Sequence, residues 1–347
     1  MVPLDTTEIG HTNVRVTRLG FGGAPIGGDR AEVTEEDAIS AIEHALELGI
    51  TFFDTAPLYG HGKSERFYGL SLAQIPRENF VLSTKVGRVL NPVSSLSDMA
   101  TSSFINPDPF TPVYDYSRDG VMRSLEESLK RLKLDRIDIA MIHDPDEFDS
   151  ARPGGNFGEP VHYSTAINEA FPALADLRSD GVIKAIGVGM NQWQALTRFA
   201  KDADFDCFLL AGRYTLLDQS ALNKLLPLCT EKQISVVLGG PYNSGILASD
   251  LSLGAQYFYT NASQEVLKRA REINTICERY DVPIKAAALQ FGLAHPAVAA
   301  TIPGSRNQSE VRDNFVMANF QIPNGMWEEI RHEGLIPSDA PTPNTVS

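Results

Sequence analysis

Eight short apolar runs, separated by stretches with helical periodicity, constrain the fold of this chain more than any other feature of its sequence. Several of these runs are continuous and rich in β-branched residues, a pattern typical of parallel strands that are buried on both faces. We predict strands at residues 18–23, 50–54, 80–86, 137–143, 183–189, 207–211, 234–239 and 298–303.

The segments between these runs carry the spacing of amphipathic helices. Apolar residues recur there at intervals of three and four, for example at Met122, Leu125, Leu129 and Leu132, and again at Val266, Ala270, Ile273 and Cys277. Further helices are predicted at residues 38–48, 167–177 and 218–229. Strands that alternate with helices of this length indicate βαβ units with right-handed crossovers. Eight such units close most simply into an α/β fold of the (β/α)8 TIM-barrel class; the alternative is an open, doubly wound parallel sheet.

We expect one barrel domain over residues 1–347, with a flexible tail at about 338–347. Residues 6–16 are expected to form an N-terminal β-hairpin that closes the bottom of the barrel. Three connections, at residues 87–118, 144–163 and 241–262, are too long for simple loops and follow the third, fourth and seventh predicted strands. Loops that follow barrel strands project from the C-terminal face, where active sites lie. Because these loops are rich in aromatic residues, we expect them to cover a substrate.

Composition narrows the functional classes. The 347 residues are 43% hydrophobic and 21% charged, which is ordinary for a globular protein with a sizeable core. With 30 Lys and Arg against 44 Asp and Glu, the net charge of −14 disfavours binding to nucleic acid or to anionic membrane surfaces. No apolar stretch reaches the roughly 18 residues of a membrane helix, and the first 30 residues lack a signal-peptide core. The three widely spaced cysteines suit neither a disulfide framework nor a zinc site, so we expect a cytoplasmic enzyme without a bound metal.

Four ionisable side chains lie at or just after the ends of predicted strands. Asp54, Lys85 and His143 lie at strand ends, and Tyr59 follows Asp54 by five residues. One such residue is more often a hydrogen-bonded core residue than a catalytic one, but four that converge on one barrel mouth indicate a site. Tyr59 suits proton transfer if the Lys85 ammonium lowers its pKa and Asp54 orients the Lys. His143 can then hydrogen-bond the reacting oxygen of a substrate.

Several longer motifs resemble the aldo-keto reductase family over residues 8–332. They are GITFFDTAPLYG at 49–60, SER at 64–66, STK at 83–85, SLKRL at 128–132, IDIAMIH at 137–143 and IPGSRN at 302–307. Their combination is highly specific, whereas each motif alone is weak. The resemblance implies a (β/α)8 barrel that uses NAD or NADP, and a catalytic tetrad formed by Asp54, Tyr59, Lys85 and His143.

The loops after the seventh and eighth predicted strands are suited to phosphate binding. Their glycines permit close backbone approach, and a helix that begins near Gln308 would direct its N-terminus at an anion. By resemblance, Ser305 and Arg306 hold the adenosine-side phosphate or ribose. The full set of expected coenzyme contacts is Gly23, Asp54, Asn191, Gly239, Pro241, Asn243, Gly245, Ile302, Gly304, Ser305, Arg306, Glu310 and Asn314.

Glu310 and Arg306 favour different coenzymes. A carboxylate near the 2′ position accepts from a ribose hydroxyl and repels a 2′-phosphate, whereas a guanidinium attracts that phosphate. NADP-selective members of the family often carry a cation where this chain has Gly304. We therefore favour NAD and keep NADP as the alternative. For the nicotinamide carboxamide, Asn191 or backbone groups stand where many members have Ser-Asn.

The stretches HDPD at 143–146, GVGMNQ at 187–192 and LAGRYTLL at 210–217 resemble the sugar-oxidising branch of the family. This implies oxidation of a cyclic aldose of the L-fucose or D-threo type at C1 to the aldonolactone, with Tyr59 as the acid/base. Pyridoxal, L-galactose and D-arabinose are alternative small-molecule substrates. A barrel that senses nucleotides without turnover is an alternative from another functional class. The sequence leaves the choice between monomer and homo-oligomer open.

Overall fold

The computed structural model describes residues 4–95, 102–145, 161–252 and 254–343. Within these ranges the strands are β1 Thr6–Glu8, β2 Arg15–Thr17, β3 Phe21–Gly22, β4 Phe52–Asp54, β5 Val81–Val86, β6 Arg88–Pro92, β7 Phe110–Tyr114, β8 Ile139–His143, β9 Ala185–Met190, β10 Cys207–Ala211, β11 Ser235–Gly239, β12 Gln256–Tyr257, β13 Thr260–Asn261 and β14 Val298–Ile302. The helices are α1 Glu35–Glu47, α2 Lys63–Leu72, α3 Arg118–Leu132, α4 Tyr163–Thr165, α5 Phe171–Ser179, α6 Trp193–Asp202, α7 Leu225–Lys232, α8 Gln264–Arg279, α9 Ile284–Phe291, α10 Gln308–Ala318 and α11 Asn324–His332. A π-helical turn at Ala166–Ala170 joins α4 to α5.

Eight strands form a parallel barrel in the order β3, β4, β5, β8, β9, β10, β11 and β14. Backbone hydrogen bonds then join the two ends of this sheet. Gly20 N donates to the Thr301 carbonyl at 2.9 Å, and Thr301 N donates to the Arg18 carbonyl at 2.9 Å. A parallel bridge between Gly22 and Gly304 lies next to these bonds. The predicted (β/α)8 barrel is therefore confirmed, and the open sheet is excluded because the first and last strands pair.

All eight predicted strands coincide with barrel strands, and the differences are confined to their ends. The largest concerns the first strand, which was predicted at 18–23 and forms a regular ladder only at Phe21–Gly22. The Arg18 carbonyl and the Gly20 N–H instead bond across the closure to Thr301 of β14, and the Arg18 N–H donates to the Asp5 carbonyl at 3.0 Å. The helical periodicity correctly predicted α3 and α8. Of its apolar positions, Leu125, Leu132, Ala270, Ile273 and Cys277 are buried, and Met122, Leu129 and Val266 are partly buried and packed against the core.

The helix predicted at 218–229 is wrong at its start, because α7 begins only at Leu225. Side-chain oxygens hold the preceding residues in turns. Thr215 Oγ1 accepts from the backbone N–H of Leu217 at 3.2 Å and of Asp218 at 3.1 Å. Asp218 Oδ1 accepts from Ser220 N at 2.9 Å. Short polar side chains that bond nearby backbone groups compete with helix formation in this way.

The N-terminal hairpin closes the bottom of the barrel, as expected. Strands β1 and β2 pair antiparallel, and Gly10 N donates to Ser235 Oγ at 2.9 Å at the start of β11. The hairpin contributes apolar side chains to a cluster inside the barrel, made of Ile9, Val14, Val16, Phe52, Ile139, Met141, Ala185, Cys207, Leu209, Val237, Ala299, Ala300 and Ile302. The lower barrel is thus filled with apolar side chains, which leaves its polar groups at the opposite end.

The long connections build short hairpins over the C-terminal face. In 87–118, β6 pairs antiparallel with β7, and in 241–262, β12 pairs antiparallel with β13. Most of the connection at 144–163 lies outside the described residues. The tail is described only to residue 343, and there Ala340 is buried and its carbonyl accepts from Arg331 at 3.2 Å, so this part is packed. Within the described ranges, every helix is too short or too polar to cross a membrane.

Candidate active site

A buried ion pair between Asp54 and Lys85 anchors the polar end of the barrel. Lys85 Nζ donates to Asp54 Oδ2 at 2.8 Å and to the Thr55 carbonyl at 2.8 Å. Ser83 Oγ donates to the other carboxylate oxygen, Asp54 Oδ1, at 2.6 Å. Strand β9 leaves room for the lysine, because a Cβ at Gly189 would lie 3.3 Å from Lys85 Cε. Every charged atom of the pair is therefore engaged or closely packed, as a buried ion pair requires.

Tyr59 lies over this pair on the loop that follows β4. Its ring centroid is 4.6 Å from Lys85 Nζ and 5.8 Å from the His143 ring, which meets it edge-on at 88°. Phe104, from the long loop after β5, contacts the same ring at 6.2 Å between centroids. Among the described residues no partner hydrogen-bonds the Tyr59 hydroxyl. The structure thus brings the four predicted tetrad residues together and leaves the phenol open to a ligand.

His143 ends β8 and is buried, with one nitrogen turned toward a neighbouring carboxylate. Its Nε2 lies 3.4 Å from Asp144 Oδ2, whereas Nδ1 has no hydrogen-bond partner among the described residues. Burial lowers the pKa of His143 well below its ordinary value, and the cations of Lys85 and Arg88 lower it further. A neutral imidazole carries one N–H, and only Nε2 has an acceptor nearby. We infer that the Nε2–H tautomer is present.

The expectation that Lys85 lowers the pKa of Tyr59 is wrong for the chain by itself. Burial raises the pKa of Tyr59 well above its ordinary value of 10.0, and the negative charges of Asp54 and Asp144 raise it further. The Lys85 charge is already shared with the Asp54 carboxylate at 2.8 Å, so it offers the phenolate little net stabilisation. Sequence spacing could not reveal this balance, because it depends on burial.

A cavity of about 510 Å³ opens beside Asp54 and Tyr59. It is lined by twelve of the thirteen residues predicted to contact the coenzyme, namely Gly23, Asp54, Asn191, Gly239, Pro241, Asn243, Gly245, Ile302, Gly304, Arg306, Glu310 and Asn314. Ser305 does not line it, but Ser305 Oγ accepts from Asn314 Nδ2 at 3.0 Å directly behind the wall. The structure therefore groups these residues, and coenzyme binding by them stays a prediction.

Fifteen cavity residues are not among the predicted site residues, and the charged and aromatic ones are Asp29, Arg30, Tyr242, Phe258, Tyr259 and Lys285. Tyr259 belongs to one of the aromatic loops, and its hydroxyl lies 3.4 Å from Asn191 Nδ2 while its ring lies 5.2 Å from the Arg30 guanidinium. The β12–β13 hairpin thus reaches from the loop after β11 to the loops after β3 and β9. Asp29 and Arg30 follow the first strand, and applying the strand-end criterion there could have found them. Lys285 lies in α9 and carries no sequence signal.

Charged groups at the far end of the cavity are arranged in pairs. Arg306 Nη1 donates to Glu310 Oε1 at 3.2 Å, and Arg306 N donates to Glu310 Oε2 at 2.8 Å. Lys285 forms an ion pair with Asp313. The helix predicted near Gln308 is confirmed as α10. Its N-cap Asn307 accepts from Glu310 N at 3.0 Å, so the first turn of this helix is partly satisfied from within.

The sequence profile of the aldo/keto reductase family matches residues 18–333. The chain belongs to the aldo-keto reductase family. It is therefore an oxidoreductase of a family that uses nicotinamide coenzymes and acts on small molecules. Among the described residues, no group of three His, Cys, Asp or Glu side chains could hold a metal ion.

Curated relatives and solved structures match nearly the whole chain. A pyridoxal 4-dehydrogenase from Microbacterium luteolum is 38% identical over 337 residues, which cover 94% of this chain and 97% of the relative. A D-threo-aldose 1-dehydrogenase from a Pseudomonas species is 38% identical over 327 residues, which cover 93% and 95%. An aldo-keto reductase structure from Bacillus halodurans, in its holo form, has a TM-score of 0.73 at 24% identity and covers 95% of this chain and 96% of its own. That last similarity supports the fold.

The cavity of this aldo-keto reductase fits a nicotinamide coenzyme. Gly240 and Gly245 have φ values of +59° and +98°, and a Cβ at either position would meet only open space or a distant backbone atom. Asn243 is buried between them, and its Oδ1 has no partner among the described residues. A wall of exposed backbone with an unsatisfied amide oxygen suits a polar ligand that approaches the main chain closely.

We predict that stability decreases below neutral pH in part because of His143. The unfolded chain protonates this residue near its ordinary value of 6.5, whereas burial keeps it neutral in the folded chain. Between these two pKa values the unfolded state binds more protons, so the free energy of unfolding falls as the pH falls, by at most about 1.4 kcal/mol per pH unit for one proton. His143→Gln should make this fall between pH 7 and 5 shallower in denaturant titrations. An unchanged slope would contradict the assignment.

Proposed function

We propose that this aldo-keto reductase is an NAD-dependent aldose 1-dehydrogenase, which oxidises a cyclic aldose of the L-fucose or D-threo type at C1 to the aldonolactone. The observation that carries the proposal is the assembled tetrad. Its Tyr59 hydroxyl has no hydrogen-bond partner among the described residues and lies beside a cavity that reaches Glu310. We also propose that it acts in the cytoplasm, since its three cysteines are free and buried, in keeping with a reducing compartment.

The tetrad residues divide the proton chemistry among them. As the C1–H bond breaks and its electron pair departs as hydride, the anomeric hydroxyl loses its proton to Tyr59 Oη and the C1–O bond becomes a carbonyl. The nicotinamide ring, when bound, supplies the hydride acceptor. His143 Nε2 lies 3.4 Å from Asp144 Oδ2, too far for a strong hydrogen bond, so its N–H is available to donate to the reacting oxygen and to fix its position. Tyr59 accepts this proton in its phenolate form. Lys85 lies 4.6 Å from the Tyr59 ring but is already paired with Asp54, so its charge offsets only part of the burial that opposes that form.

The residues around the cavity would hold the coenzyme along its length. Asn191 and Tyr259 would contact the nicotinamide end, and the backbone at Gly240 and Gly245 would face the pyrophosphate. Arg306 and Glu310 would meet the adenosine ribose. Because Arg306 and Lys285 are both paired with carboxylates, a 2′-phosphate would find no unpaired cation among these cavity residues. This arrangement supports NAD over NADP.

A second candidate is oxidation of pyridoxal, because the pyridoxal and aldose relatives are equally identical to this chain at 38%. The substrate end of the cavity has both aromatic and polar walls, so it suits a pyridine ring as well as a sugar. The resemblance of residues 143–146, 187–192 and 210–217 to the sugar-oxidising branch favours the aldose. L-Galactose and D-arabinose are alternatives within this class.

We expect the purified protein to reduce NAD when an aldose is added, detected as growth of absorbance at 340 nm. The panel consists of L-fucose, D-arabinose, L-galactose and pyridoxal, each with NAD and with NADP. Turnover with an aldose supports C1 oxidation. Turnover with pyridoxal alone would contradict the aldose proposal and identify pyridoxal as the substrate. Tight coenzyme binding without any turnover would favour a nucleotide sensor.

We expect Tyr59→Phe to lower kcat about 10²- to 10⁴-fold, because it removes the group that accepts the proton and keeps the ring. The dissociation constant for NAD, measured by fluorescence titration, should change little. Tyr280→Phe, on the end of α8 far from the cavity, is the matched control and should keep wild-type turnover. Near-normal turnover in the Tyr59 variant would refute the role given to the phenol.

We expect kcat/KM to be at least about tenfold higher with NAD than with NADP, since the paired cations offer no free partner to a 2′-phosphate. Glu310→Gln should narrow that ratio by releasing Arg306. Glu126→Gln, an exposed change on α3, provides the control and should keep the ratio. A wild-type preference for NADP would contradict the coenzyme assignment.

A further inference from the structure

A partly buried ion pair, between Arg88 and Asp144, lies beside His143. Arg88 Nη2 donates to Asp144 Oδ2 at 3.3 Å, and the same oxygen lies 3.4 Å from His143 Nε2. The guanidinium packs under the ring of Tyr114 at 4.2 Å from its centroid. Removing two charges from water carries a desolvation penalty that their attraction only partly offsets. A pair at this position therefore suggests a role beyond stability.

The backbone at Asp144 is strained and is held at three points. Its φ is +42°, in the left-handed region that non-glycine residues seldom adopt. The Tyr116 hydroxyl lies 2.5 Å from the His143 carbonyl and 2.9 Å from the Asp144 carbonyl. Asp144 N donates to the Gly189 carbonyl at 2.9 Å, across to β9. These contacts fix the direction in which the carboxylate leaves the chain.

The two carboxylate oxygens of Asp144 differ in their contacts within the described residues. Oδ2 meets both Arg88 and His143, whereas Oδ1 has no hydrogen-bond partner among the described residues. The Asp144 side chain is 23% exposed and the Arg88 side chain 9%, so the acid is the accessible member of the pair. Its charge also raises the pKa of Tyr59 and of Tyr259, two phenols that line the cavity. Asp144 is not one of the residues that line the cavity, but its carboxylate lies 3.4 Å from His143 Nε2, and the His143 ring lies 5.8 Å from the Tyr59 ring. The carboxylate therefore lies next to the reacting end of the site.

Building on the proposed aldose oxidation, we propose that Asp144 is a specificity-determining residue that accepts a hydrogen bond from the substrate hydroxyl on the carbon next to the reacting carbon. His143 Nε2 holds the reacting oxygen, and the carboxylate lies 3.4 Å from that nitrogen. A hydroxyl one carbon further along the substrate then comes within reach of Oδ1. The substrate class is an aldose with a free 2-hydroxyl, in preference to a 2-deoxy sugar.

Another role is possible for the same geometry, in which Asp144 only orients His143. The two roles predict different kinetics. A residue that positions His143 affects every substrate equally, since each presents a reacting oxygen. A residue that binds the neighbouring hydroxyl affects only substrates that carry it, because a site built to bind a hydroxyl discriminates against the analogue that lacks it.

The test compares L-fucose with 2-deoxy-L-fucose at saturating NAD, in the wild type and in Asp144→Asn. In the variant the amide oxygen can keep the bond from Arg88, which leaves an NH₂ group where Oδ1 was the acceptor. We expect the wild type to show at least about tenfold higher kcat/KM for L-fucose, the value of a charge-assisted hydrogen bond. The variant should lose this preference through a lower kcat/KM for L-fucose alone.

Asp108→Asn is the matched control. Asp108 also accepts from an arginine, Arg66, at 3.0 Å and is 20% exposed, but unlike Asp144 it makes no contact with His143 among the described residues. It should keep the wild-type preference. Equal loss of both sugars in Asp144→Asn, or no 2-hydroxyl preference in the wild type, overturns the inference and leaves aldose oxidation intact. If the wild type oxidises no aldose while it turns over pyridoxal, both the proposed function and this inference fail.

Discussion

The buried Lys85–Asp54 pair is the interaction on which the rest of the site depends. An ion pair inside a barrel is tolerated only if its remaining donors and acceptors are satisfied. Neighbouring strands meet this requirement, since Ser83 and the Thr55 carbonyl complete the hydrogen bonds and Gly189 leaves space for the lysine stem. Because β4 and β5 pair directly, the carboxylate and the lysine belong to one rigid ladder. Tyr59 therefore packs over a pair whose position is fixed by β4 and β5, although Tyr59 itself lies in a loop.

Barrel closure explains why the polar groups meet at one end. The hairpin and the inward apolar side chains fill the bottom, so a polar group placed there would lose its hydration without finding partners. Parallel strands all present their carboxyl ends to the same face, where the loops after β5, β8 and β11 supply partners from several directions. The hairpin tip with Phe258 and Tyr259 reaches this face through backbone in the left-handed region. A strained backbone conformation persists only where surrounding contacts stabilise it, and the hydrogen bond from Asn191 to the Tyr259 hydroxyl is one such contact.

The sequence predicted the barrel and the tetrad because both follow from local pattern and order along the chain. Alternating apolar runs identify strands, and a strand end at Asp54, Lys85 or His143 identifies the face of the barrel. The predicted start of α7 was wrong, because the side chains of Thr215 and Asp218 accept hydrogen bonds from the backbone before the helix begins. Whether such side chains compete with helix formation depends on their geometry, which the sequence does not show. The direction of the Tyr59 pKa shift could not be predicted from the sequence for a similar reason. Burial and the prior engagement of Lys85 by Asp54 decide it, and neither is visible in spacing.

The cations around the cavity are paired with carboxylates. The chain carries a net charge of −14, which opposes a phosphate-bearing ligand, so the cavity must compensate locally. It does so with main-chain groups at glycines and with cations already paired to carboxylates, Arg306 with Glu310 and Lys285 with Asp313. A paired cation still offers hydrogen bonds to a neutral ribose, but an added phosphate must compete with the resident carboxylate. At the reacting end Asp144 is likewise paired with Arg88, and among the described residues its Oδ1 makes no hydrogen bond, which suits the neutral hydroxyl proposed above. Both ends of the cavity are thus suited to recognise hydroxyl groups.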